Sequence, residues 1–567
     1  MDEVRNHNNH SPAVETQPSF SFSSAQPDVL LPEDLGANFL APESGSLVAE
    51  VFASKSVEVA QTVQESPLLF DTQLPDNTFL DDHISTARTT GGSHASVQLP
   101  AIVADITLWH TPDNEAWVTL PVADHHEHWS LKSQATQRWI ARRYYEQIQA
   151  VPTARELHAL LGLLEGHALF DGAKHTVFTR LAEHNGTIYL DLCNERWEAV
   201  EITTTGWEVV STPPVKFRRS NGMLPLPYPE RGGSMNELRP FVNVPPDMNG
   251  TPAVDWVLLV AWLLASLRPR GPYPVLELNG EQGSAKSTLA RVLRSLVDPS
   301  SALLRTMPRN ERDLMISAEA EWIMAYDNLS CLPQWLSDAF CRLATGGGFA
   351  TRKLFSDNRQ ILFDAQRPIL LTGIEDVAIN GDLLDRTLPL VLPAIPDDRR
   401  QSESAFWEAF EATRPRILGA LLEVVARTLR KPLRISAQEL LRMADFAEWV
   451  IAAESELGWK AGTFMAAYSA RRAQTNEVAL DGSPVAGAVQ ALVGRGAWEG
   501  TASDLLTTIG TLVSDRDTRL KTWPKSPLAL SNALRRLTPN LRLTGVLVSF
   551  SRTGGSNSKR LITIEKR

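Results

Sequence analysis

The segment Pro274–Thr288, PVLELNGEQGSAKST, constrains the fold of this 567-residue chain more than any other stretch. Its apolar start predicts a β-strand at Val275–Leu278, and a helix is predicted to leave the segment at Thr288. Between them lies a Gly-rich loop that ends in Lys and Ser. A strand, such a loop and a helix in this order predict a phosphate-binding P-loop. Since helices and apolar strands alternate over residues 251–400, we expect an α/β core with a parallel sheet.

The chemistry of the loop predicts an ATP site. Its backbone N–H groups would face a polyphosphate, and the helix N-terminus would add the positive end of its dipole. We expect Lys286 to pair with the β- and γ-phosphates and the Ser287 hydroxyl to coordinate Mg²⁺. Ala285 stands where the usual pattern has Gly. The predicted nucleotide-binding residues are Gly280, Glu281, Gln282, Gly283, Ser284, Ala285, Lys286, Ser287 and Thr288.

Two later strands are predicted to end beside this loop. Trp322–Asp327 is a mostly apolar run that ends in an acid, and Asp327 would hold the Mg²⁺ shell with Ser287. The next residue is Asn328. An amide can orient a water but cannot accept its proton, so hydrolysis is less secure than binding. Thr372 ends the following strand and is either a contact to the γ-phosphate and the water or an ordinary strand-end Thr.

Arg386 directly precedes the last predicted strand, Leu388–Leu392. A single Arg in this position is often solvated or salt-bridged. Its distance from the P-loop along the chain instead favours an arginine finger that reaches the γ-phosphate of a neighbouring subunit. The predicted catalytic residues are Lys286, Asp327, Asn328, Thr372 and Arg386.

The rest of the chain divides by composition and pattern. A Pro/Gly-rich linker precedes the core, and apolar residues at helical spacing fill 403–475. The predicted domains are a disordered acidic tail at 1–100, a small α+β domain at 101–240 that includes a β-meander, the P-loop core at 251–400, a helical domain at 401–481 and a winged helix-turn-helix at 482–567. The tail serves either solubility or docking to a partner.

The net charge of −11 would ordinarily count against nucleic-acid binding. Its distribution changes that conclusion, because residues 1–100 hold 14 acidic and 3 basic residues, whereas 482–567 holds 13 basic and 5 acidic residues. Three cysteines without a C-x-x-C pair, and an N-terminus unlike a signal peptide, predict a cytoplasmic protein. The apolar stretch Trp256–Leu267 is too short to cross a membrane and predicts a buried helix.

The basic tail predicts a DNA-binding domain. Three helices followed by two strands with a Gly-rich connection form a winged-helix pattern, and its clustered cations suit phosphate contacts. The alternative is a docking module for another protein. The predicted DNA contacts in this domain are Lys525, Arg535, Arg536, Arg552, Lys559 and Arg560.

The run Asp124-His-His-Glu-His128 has a metal-like composition. On a strand, His126 and His128 would share one face and could bind a metal together. No distant partner ligand is identifiable, so we favour a polar loop.

The order GEQGSAKS, AYDN, ATGGGFATRKLFSDNRQILFDAQRPILLTG and LLDR resembles AAA+-type P-loop ATPases of helicase superfamily three, in particular ATP-binding proteins of phages and integrative elements. This resemblance covers about 250–400, and more weakly 101–475. It implies a core with a five-stranded parallel sheet that assembles into a ring, expected to be a hexamer. It also implies that a β-hairpin within Gly346–Asp364 grips DNA. The hairpin cations are Arg352, Lys353 and Arg359, and a solvated hairpin is the alternative. Ala285 and Asn328 depart from the family pattern.

Two functions remain open from the sequence. The first is an ATP-dependent DNA motor, expected to be a replicative helicase of a mobile element, with DNA, copies of itself and other replication proteins as partners. The second is an ATP-switched DNA-binding loader, initiator or regulator that unwinds nothing. Strand displacement distinguishes them.

Overall fold

A computed structural model describes residues 103–330, 332–347, 349–352, 360–363, 365–373, 381–431, 443–520, 522–554 and 559–567. The predicted acidic tail at 1–100 lies outside these residues, as do Lys353 and Arg359 of the predicted DNA-gripping hairpin. For Arg352 the description extends to the backbone only.

The first module is a four-stranded sheet with two helices. Its elements are β1 Thr107–His110, β2 Ala116–Val122, β3 His125–Ser130, α1 Gln134–Ile148, α2 Ala154–Phe170 and β4 Ala173–Lys174. The strand order is β3-β2-β1-β4, with β4 parallel to β1 and the other pairs antiparallel. Helix α2 begins with a reciprocal capping box between Thr153 and Glu156. Leu160 and Leu164 of α2 join the core formed with β2.

Strand β3 corrects the prediction of a polar loop at Asp124–His128. The segment forms a regular antiparallel ladder with β2, in which Thr119 lies opposite His128. His126 and His128 lie on the same face of β3, where His126 is exposed and His128 is buried. Within the described residues, no group of three or more His, Cys, Asp or Glu side chains is arranged to hold a metal ion.

A β-meander follows and confirms the prediction for this segment. Strand β5 Val177–Phe178 precedes the meander, whose strands are β6 Leu181–His184, β7 Thr187–Asp191, β8 Ala199–Thr203 and β9 Gly206–Val210. Strand β10 Lys216–Phe217 follows and pairs in parallel with β5 in a separate two-stranded sheet. Strands β6 to β9 pair in sequence order, all antiparallel. Asn185 and Gly186 turn the chain between β6 and β7 with φ of +51° and +78°. Buried residues of the meander such as Ile188, Val200 and Ile202 belong to the same hydrophobic core as those of the following sheet, so packing crosses the predicted domain boundary at 240. Ala182, Tyr189 and Ala199 belong to a separate small cluster.

The central layer is a parallel sheet with helices. Its elements are α3 Val254–Ser266, β11 Val275–Asn279, α4 Lys286–Val297, α5 Glu311–Ala320, β12 Met324–Leu329, α6 Gln334–Thr345, β13 Phe349–Arg352, β14 Gln360–Phe363, β15 Ile369–Gly373, α7 Gly381–Leu384 and β16 Thr387–Val391. The sheet order is β12-β15-β11-β16, and every pair is parallel. The carboxyl ends of β11, β12 and β15 therefore meet at one edge, where ligands of such sheets bind.

The expected fifth strand of this sheet is not formed among the described residues. Arg305 alone makes a parallel bridge to Tyr326 at the β12 edge. Its N–H donates to the Ala325 carbonyl at 3.0 Å, and its carbonyl accepts from the Asp327 N–H at 2.9 Å. The described sheet thus has four strands and one bridging residue.

Helix α3 is buried on all sides, as a helix with uniformly apolar faces requires. It packs within the core that joins the meander to the parallel sheet. No helix in the described part of the chain has the length and apolar character needed to cross a membrane.

The C-terminal third starts with helices and ends in a compact domain. The elements are α8 Glu403–Thr428, α9 Ala444–Ala453, α10 Thr463–Asp481, α11 Pro484–Val493, β17 Trp498–Gly500, α12 Ala502–Gly510, α13 Asp515–Arg519, α14 Pro527–Leu543, β18 Val546–Arg552 and β19 Arg560–Lys566. From α11 onward the residues share a separate core with an antiparallel sheet in the order β17-β19-β18. Strands β18 and β19 form a hairpin that follows the long helix α14.

Candidate functional site

The loop between β11 and α4 follows a path set by unusual backbone angles. φ is +152° at Gly280, +85° at Gly283 and +61° at Ala285. A Cβ on Gly280 would lie 2.6 Å from the Leu392 carbonyl oxygen, so a larger residue would force the loop away from β16. Ala285 adopts the left-handed conformation in spite of its Cβ, and the loop therefore forms with the Ala that replaces the usual Gly.

The first turn of α4 is open to an anion. Ala285 is the residue before the helix and provides no side-chain cap, and the turn contains no acidic side chain. The first N–H groups of a helix lack intrahelical acceptors, and the helix dipole places positive charge there. Together these groups make the start of α4 suitable for phosphate. Among the neighbouring predicted ligands, Glu281 and Gln282 are exposed, whereas Thr288 is half-buried.

Lys286 lies across the mouth of this loop. Its Nζ donates to the carbonyls of Gly280 at 2.6 Å and Glu281 at 2.8 Å, and to the Ser284 hydroxyl at 3.3 Å. Partial burial lowers the pKa of the Lys286 ammonium, while the charge of Asp327 acts in the opposite direction. A polyphosphate at the loop could replace these neutral carbonyls as the partner of the ammonium.

Ser287, Asp327 and Thr372 form a hydrogen-bonded group at the carboxyl edge of the sheet. The Ser287 hydroxyl donates to the two carboxylate oxygens of Asp327 at 2.9 and 3.1 Å. The hydroxyl of Thr372, which is 1% exposed, donates to Asp327 Oδ1 at 2.5 Å. The β12–β15 register shifts between Tyr326 and Leu329, so an irregularity in the strand lies where Asp327 turns toward the loop. The structure thus brings together three predicted residues from separate segments.

Asn328 follows Asp327 with an exposed side chain and a φ of +55°. Its backbone N–H donates to the Thr372 hydroxyl oxygen at 3.0 Å. The two acids that precede β12 are engaged elsewhere. Glu319 pairs with Arg218, and Glu321 pairs with Arg305 and with Arg294. Both acids are thus paired with arginines, and the amide of Asn328 cannot take a proton from water.

Arg386 lies at the opposite edge of the sheet from the loop of its own chain. Its carbonyl accepts from the N–H of Val275, the first residue of β11, at 2.9 Å. The side chain is 13% exposed and forms an ion pair with Asp382 at 2.7 Å. The structure therefore does not bring Arg386 to the loop of its own chain, and a finger acting on another subunit would have to leave Asp382.

A second segment, 392–400, borders the loop and was not predicted as part of the site. The Ile395 N–H donates to the Gly283 carbonyl at 3.4 Å. Asn243 connects the loop with this segment, because its Nδ2 donates to the carbonyls of Ser284 at 3.0 Å and Pro393 at 2.6 Å. Arg400 lies over Gly283, and a Cβ on that glycine would be 3.5 Å from an Arg400 Nη atom. No local sequence pattern connects these residues with the loop.

A buried ion network lies behind the site. Asp298, the residue after α4, is 1% exposed and accepts from Arg180 Nε at 2.9 Å. It also accepts from the N–H groups of Trp322 and Ile323 at 2.9 and 3.0 Å. Arg294 in α4 pairs with the buried Glu321 at 2.9 Å. These bonds tie the meander, α4 and the start of β12 into one framework.

Of the predicted DNA contacts that the structure describes, Arg352 ends β13, Lys525 precedes α14, Arg535 and Arg536 lie in α14, and Arg552, Lys559 and Arg560 lie where β18 ends and β19 begins. Strands β13 and β14 pair antiparallel from Phe349 opposite Phe363 to Arg352 opposite Gln360, as the predicted hairpin requires. In the C-terminal domain, the Arg535 guanidinium lies 4.1 Å from the Phe550 ring centroid, and Lys525 Nζ donates to the Thr518 carbonyl at 2.5 Å. The remaining predicted contacts are all exposed: Arg536, Arg552, Lys559 and Arg560.

Comparison with protein families gives two matches. Residues 248–481 match the family described as actinomycete integrative conjugative element replication protein, and residues 485–567 match the AICE RepA C-terminal domain. These matches support a replication protein of an integrative conjugative element. Their ranges contain all the predicted ATP and DNA residues. No curated protein matches the chain.

Among solved structures, the chain is similar to two apo structures of the NrS-1 C terminal region. One has 10% sequence identity and a TM-score of 0.37, and covers 82% of this chain and 98% of that one. The other has 9% identity and a TM-score of 0.35, with 82% and 97% covered. At such TM-scores the likeness carries no argument about activity.

Proposed function

We propose that this replication protein is an ATP-dependent DNA motor, a replicative helicase of a mobile element that couples Mg-ATP hydrolysis to DNA translocation. The observation that carries the proposal is the Ser287–Asp327–Thr372 group beside Lys286, at the edge of a parallel sheet and at the start of α4. Three oxygen-bearing side chains and an ammonium around one loop fit a phosphate-bound divalent cation better than a structural turn.

The residues of this P-loop would divide the work of binding. The N–H groups at the start of α4 would donate hydrogen bonds to phosphate oxygens, and Lys286 would exchange its carbonyl partners for phosphate oxygens. Ser287 and Asp327 are hard oxygen donors that suit Mg²⁺, which would neutralise charge between the β- and γ-phosphates. Thr372 would hold the Asp327 carboxylate in place through its hydroxyl. With Asn328 next to Asp327, the water-activating base stays unassigned.

DNA would be held in two places. The β13–β14 hairpin, with Arg352, Lys353 and Arg359 as its cations, would contact DNA in the central channel of a ring, proposed to be hexameric. The C-terminal domain would bind duplex DNA as a winged helix, since the long helix α14 is followed by the β18–β19 hairpin, which β17 completes to a three-stranded sheet. The domain holds 13 basic and 5 acidic residues, and this surplus of positive charge supports phosphate contacts. The proposed setting is the cytoplasm, together with other replication proteins.

Strand displacement tests the motor most directly. Purified full-length protein should separate a labelled fork with Mg-ATP, and the Lys286→Ala protein should not. The alternative function, an ATP-switched loader, initiator or regulator, is favoured by the amide at Asn328. It predicts ATP-dependent DNA binding without displacement in either protein. Displacement that is equal with and without ATP would contradict both proposals.

Ring assembly has its own test at Arg386. We expect Arg386→Ala to retain ATP binding and lose hydrolysis, because the finger would act on a neighbouring subunit. Mixing Arg386→Ala with Lys286→Ala protein should restore part of the hydrolysis, since some interfaces would then combine an intact loop with an intact finger. If the mixtures hydrolyse no more ATP than the two variants do separately, the proposal that Arg386 acts on a neighbouring subunit loses its support.

A further inference from the structure

The sheet of the first module has a polar and aromatic face that points away from its helices. Val118 and Leu120 of β2 lie in the core shared with α1 and α2. Since side chains alternate along a strand, Thr119 lies on the opposite face. The cross-strand register places His128 of β3 opposite Thr119, and the Trp109 Nε1–H donates to the Thr119 hydroxyl at 3.0 Å. We refer to this surface as the histidine face.

A second imidazole reaches the histidine face from the segment after β4. The His175 ring lies edge-on to the Trp109 indole, with 5.6 Å between the ring centroids. The His128 ring lies edge-on to the same indole at 6.3 Å. His126, two residues before His128 on β3, is exposed and extends this face to solvent. Two imidazoles from separate segments therefore border one aromatic side chain.

Lys216 of β10 points toward the same face. The next two residues continue this strand, because the Arg218 N–H donates to the Phe178 carbonyl at 2.8 Å. The Arg218 guanidinium lies 5.6 Å from the ring centroid of Trp117, which is on the histidine face two residues before Thr119. Side chains two residues apart on a strand share one side. The ammonium of Lys216 therefore faces the histidine face, as the guanidinium of Arg218 does.

Lys216 lacks the counter-charge that its neighbours have. Arg218 pairs with Glu115 at 3.4 Å. Arg219 pairs with Asp191 at 2.7 Å. In the described part of the chain no carboxylate pairs with Lys216, whose side chain is half-buried and whose pKa is lowered by burial. A charge that is taken out of water without a partner costs free energy. An anion from outside the protein would remove this cost.

The two imidazoles add neutral donors to this ammonium. The Trp109 N–H can only donate to the Thr119 hydroxyl, whose own hydrogen is then free to donate to His128 Nδ1 at 2.9 Å. Burial, together with the charge of Lys216, lowers the pKa of His128 to about 3, so its ring is neutral and carries the hydrogen on Nε2. Burial also lowers the pKa of His175. The neutral His175 ring likewise carries one N–H group.

We propose that Lys216, His128 and His175 form a binding site for a phosphate group. A phosphate accepts hydrogen bonds from several directions, and these donors come from β10, β3 and the segment after β4. The phosphate belongs either to the DNA backbone or to a small phosphate compound. The site precedes residue 248, where the family matches begin, and it shares no residue with the loop between β11 and α4. It therefore does not depend on the ATP site.

The test follows the histidine NMR signals of the full-length protein, labelled with ¹³C at histidine, during titration with inorganic phosphate. His175→Gln identifies the His175 signal. This signal should shift along a saturable curve that sodium chloride at the same ionic strength does not reproduce. Lys216→Met and Lys216→Gln should each weaken phosphate binding at least about tenfold, as loss of a charged hydrogen bond predicts. The other histidine signals, unchanged without phosphate, show that both variants fold.

Two lysine variants serve as controls. Lys132→Met should bind phosphate as the unchanged protein does, because Lys132 is 74% exposed and pairs at the surface with Glu165. Lys286→Ala should also retain the His175 shift, although it removes the cation of the phosphate loop. The proposal is overturned if the shift is lost in Lys286→Ala, or if the Lys216 variants bind phosphate as tightly as the unchanged protein.

A second titration, with duplex DNA, distinguishes the two sources of phosphate. If the site binds the DNA backbone, DNA should shift the same His175 signal, and Lys216→Met should reduce the slope of log affinity against log salt by about 0.9. If a small phosphate compound is the ligand, inorganic phosphate shifts the signal and DNA does not. A His175 signal that responds to neither inorganic phosphate nor DNA would also overturn the proposal.

Discussion

The backbone at Ala285 makes a quantitative prediction about the loop. Its φ and ψ are +61° and +31°, in the left-handed region, and the residue ends the phosphate loop. An L residue in this region has its Cβ too close to the next carbonyl, which costs about 1–2 kcal/mol. Strain of this kind is commonly found at functional sites. Ala285→Gly removes the Cβ and should therefore stabilise the protein.

The expected gain is smaller than the strain. Glycine makes the unfolded chain more flexible, which costs about 0.4–1 kcal/mol relative to Ala. We therefore expect Ala285→Gly to raise the free energy of unfolding by about 0.5–1 kcal/mol. Urea-induced unfolding measures this as a higher transition midpoint with an unchanged slope.

Two further Ala→Gly variants calibrate the measurement. Ala123 lies in the turn between β2 and β3 with a φ of +50°, so Ala123→Gly should also stabilise. Ala159 is exposed within α2, and Ala159→Gly should destabilise by about 0.8–1 kcal/mol because Gly is a poor helix former. A lower midpoint for Ala285→Gly together with a higher midpoint for Ala123→Gly would refute the left-handed conformation of the loop.

Three other predictions follow from the described contacts. Burial, with Lys216 nearby, lowers the pKa of His128 from 6.5 to about 3. Between these values the unfolded state binds more protons, so stability is complete above pH 6.5 and falls at lower pH by up to about 1.4 kcal/mol per pH unit; His128→Gln should flatten this dependence in urea unfolding, and the exposed His126→Gln should not. Asp298→Asn should destabilise by about 3–5 kcal/mol, because buried Arg180 loses its counter-charge, and an unchanged urea midpoint would contradict that role. Arg536→Ala should reduce the slope of log affinity for DNA against log salt by about 0.9, if Arg536 contacts one phosphate; an equal slope would remove it from the interface.

The placement of the site residues was predictable where it depends on local pattern. Lys286 and Ser287 follow a Gly-rich loop after an apolar strand, and Asp327 ends another apolar run. Because parallel strands of one sheet end at the same edge, these residues were expected to meet, and the Ser287–Asp327 hydrogen bonds bear this out. From the sequence, Thr372 is either a contact to the γ-phosphate and the water or an ordinary strand-end Thr, and the structure shows its hydroxyl donating to the Asp327 carboxylate.

The parts that were missed depend on contacts between distant segments. Asn243 lies 41 residues before Ser284, and no sequence pattern at either residue predicts the hydrogen bond between them. Arg400 stands in an ordinary charged run, Asp-Asp-Arg-Arg, whose position against Gly283 comes from the path of the chain after β16. The polar residues of β3 predict a loop, whereas pairing with β2 and burial of His128 make the segment a strand.

Equilibrium binding of Mg-ATP to Lys286→Ala tests the central claim most directly. Lys132→Ala is the control, because Lys132 is 74% exposed and pairs only at the surface with Glu165. If the loop holds a polyphosphate, Lys286→Ala should bind Mg-ATP at least about tenfold more weakly than the unchanged protein, as loss of a charged hydrogen bond predicts. Lys132→Ala should bind it equally well. Equal affinity of Lys286→Ala and the unchanged protein would contradict the phosphate site and the ATP-dependent motor built on it.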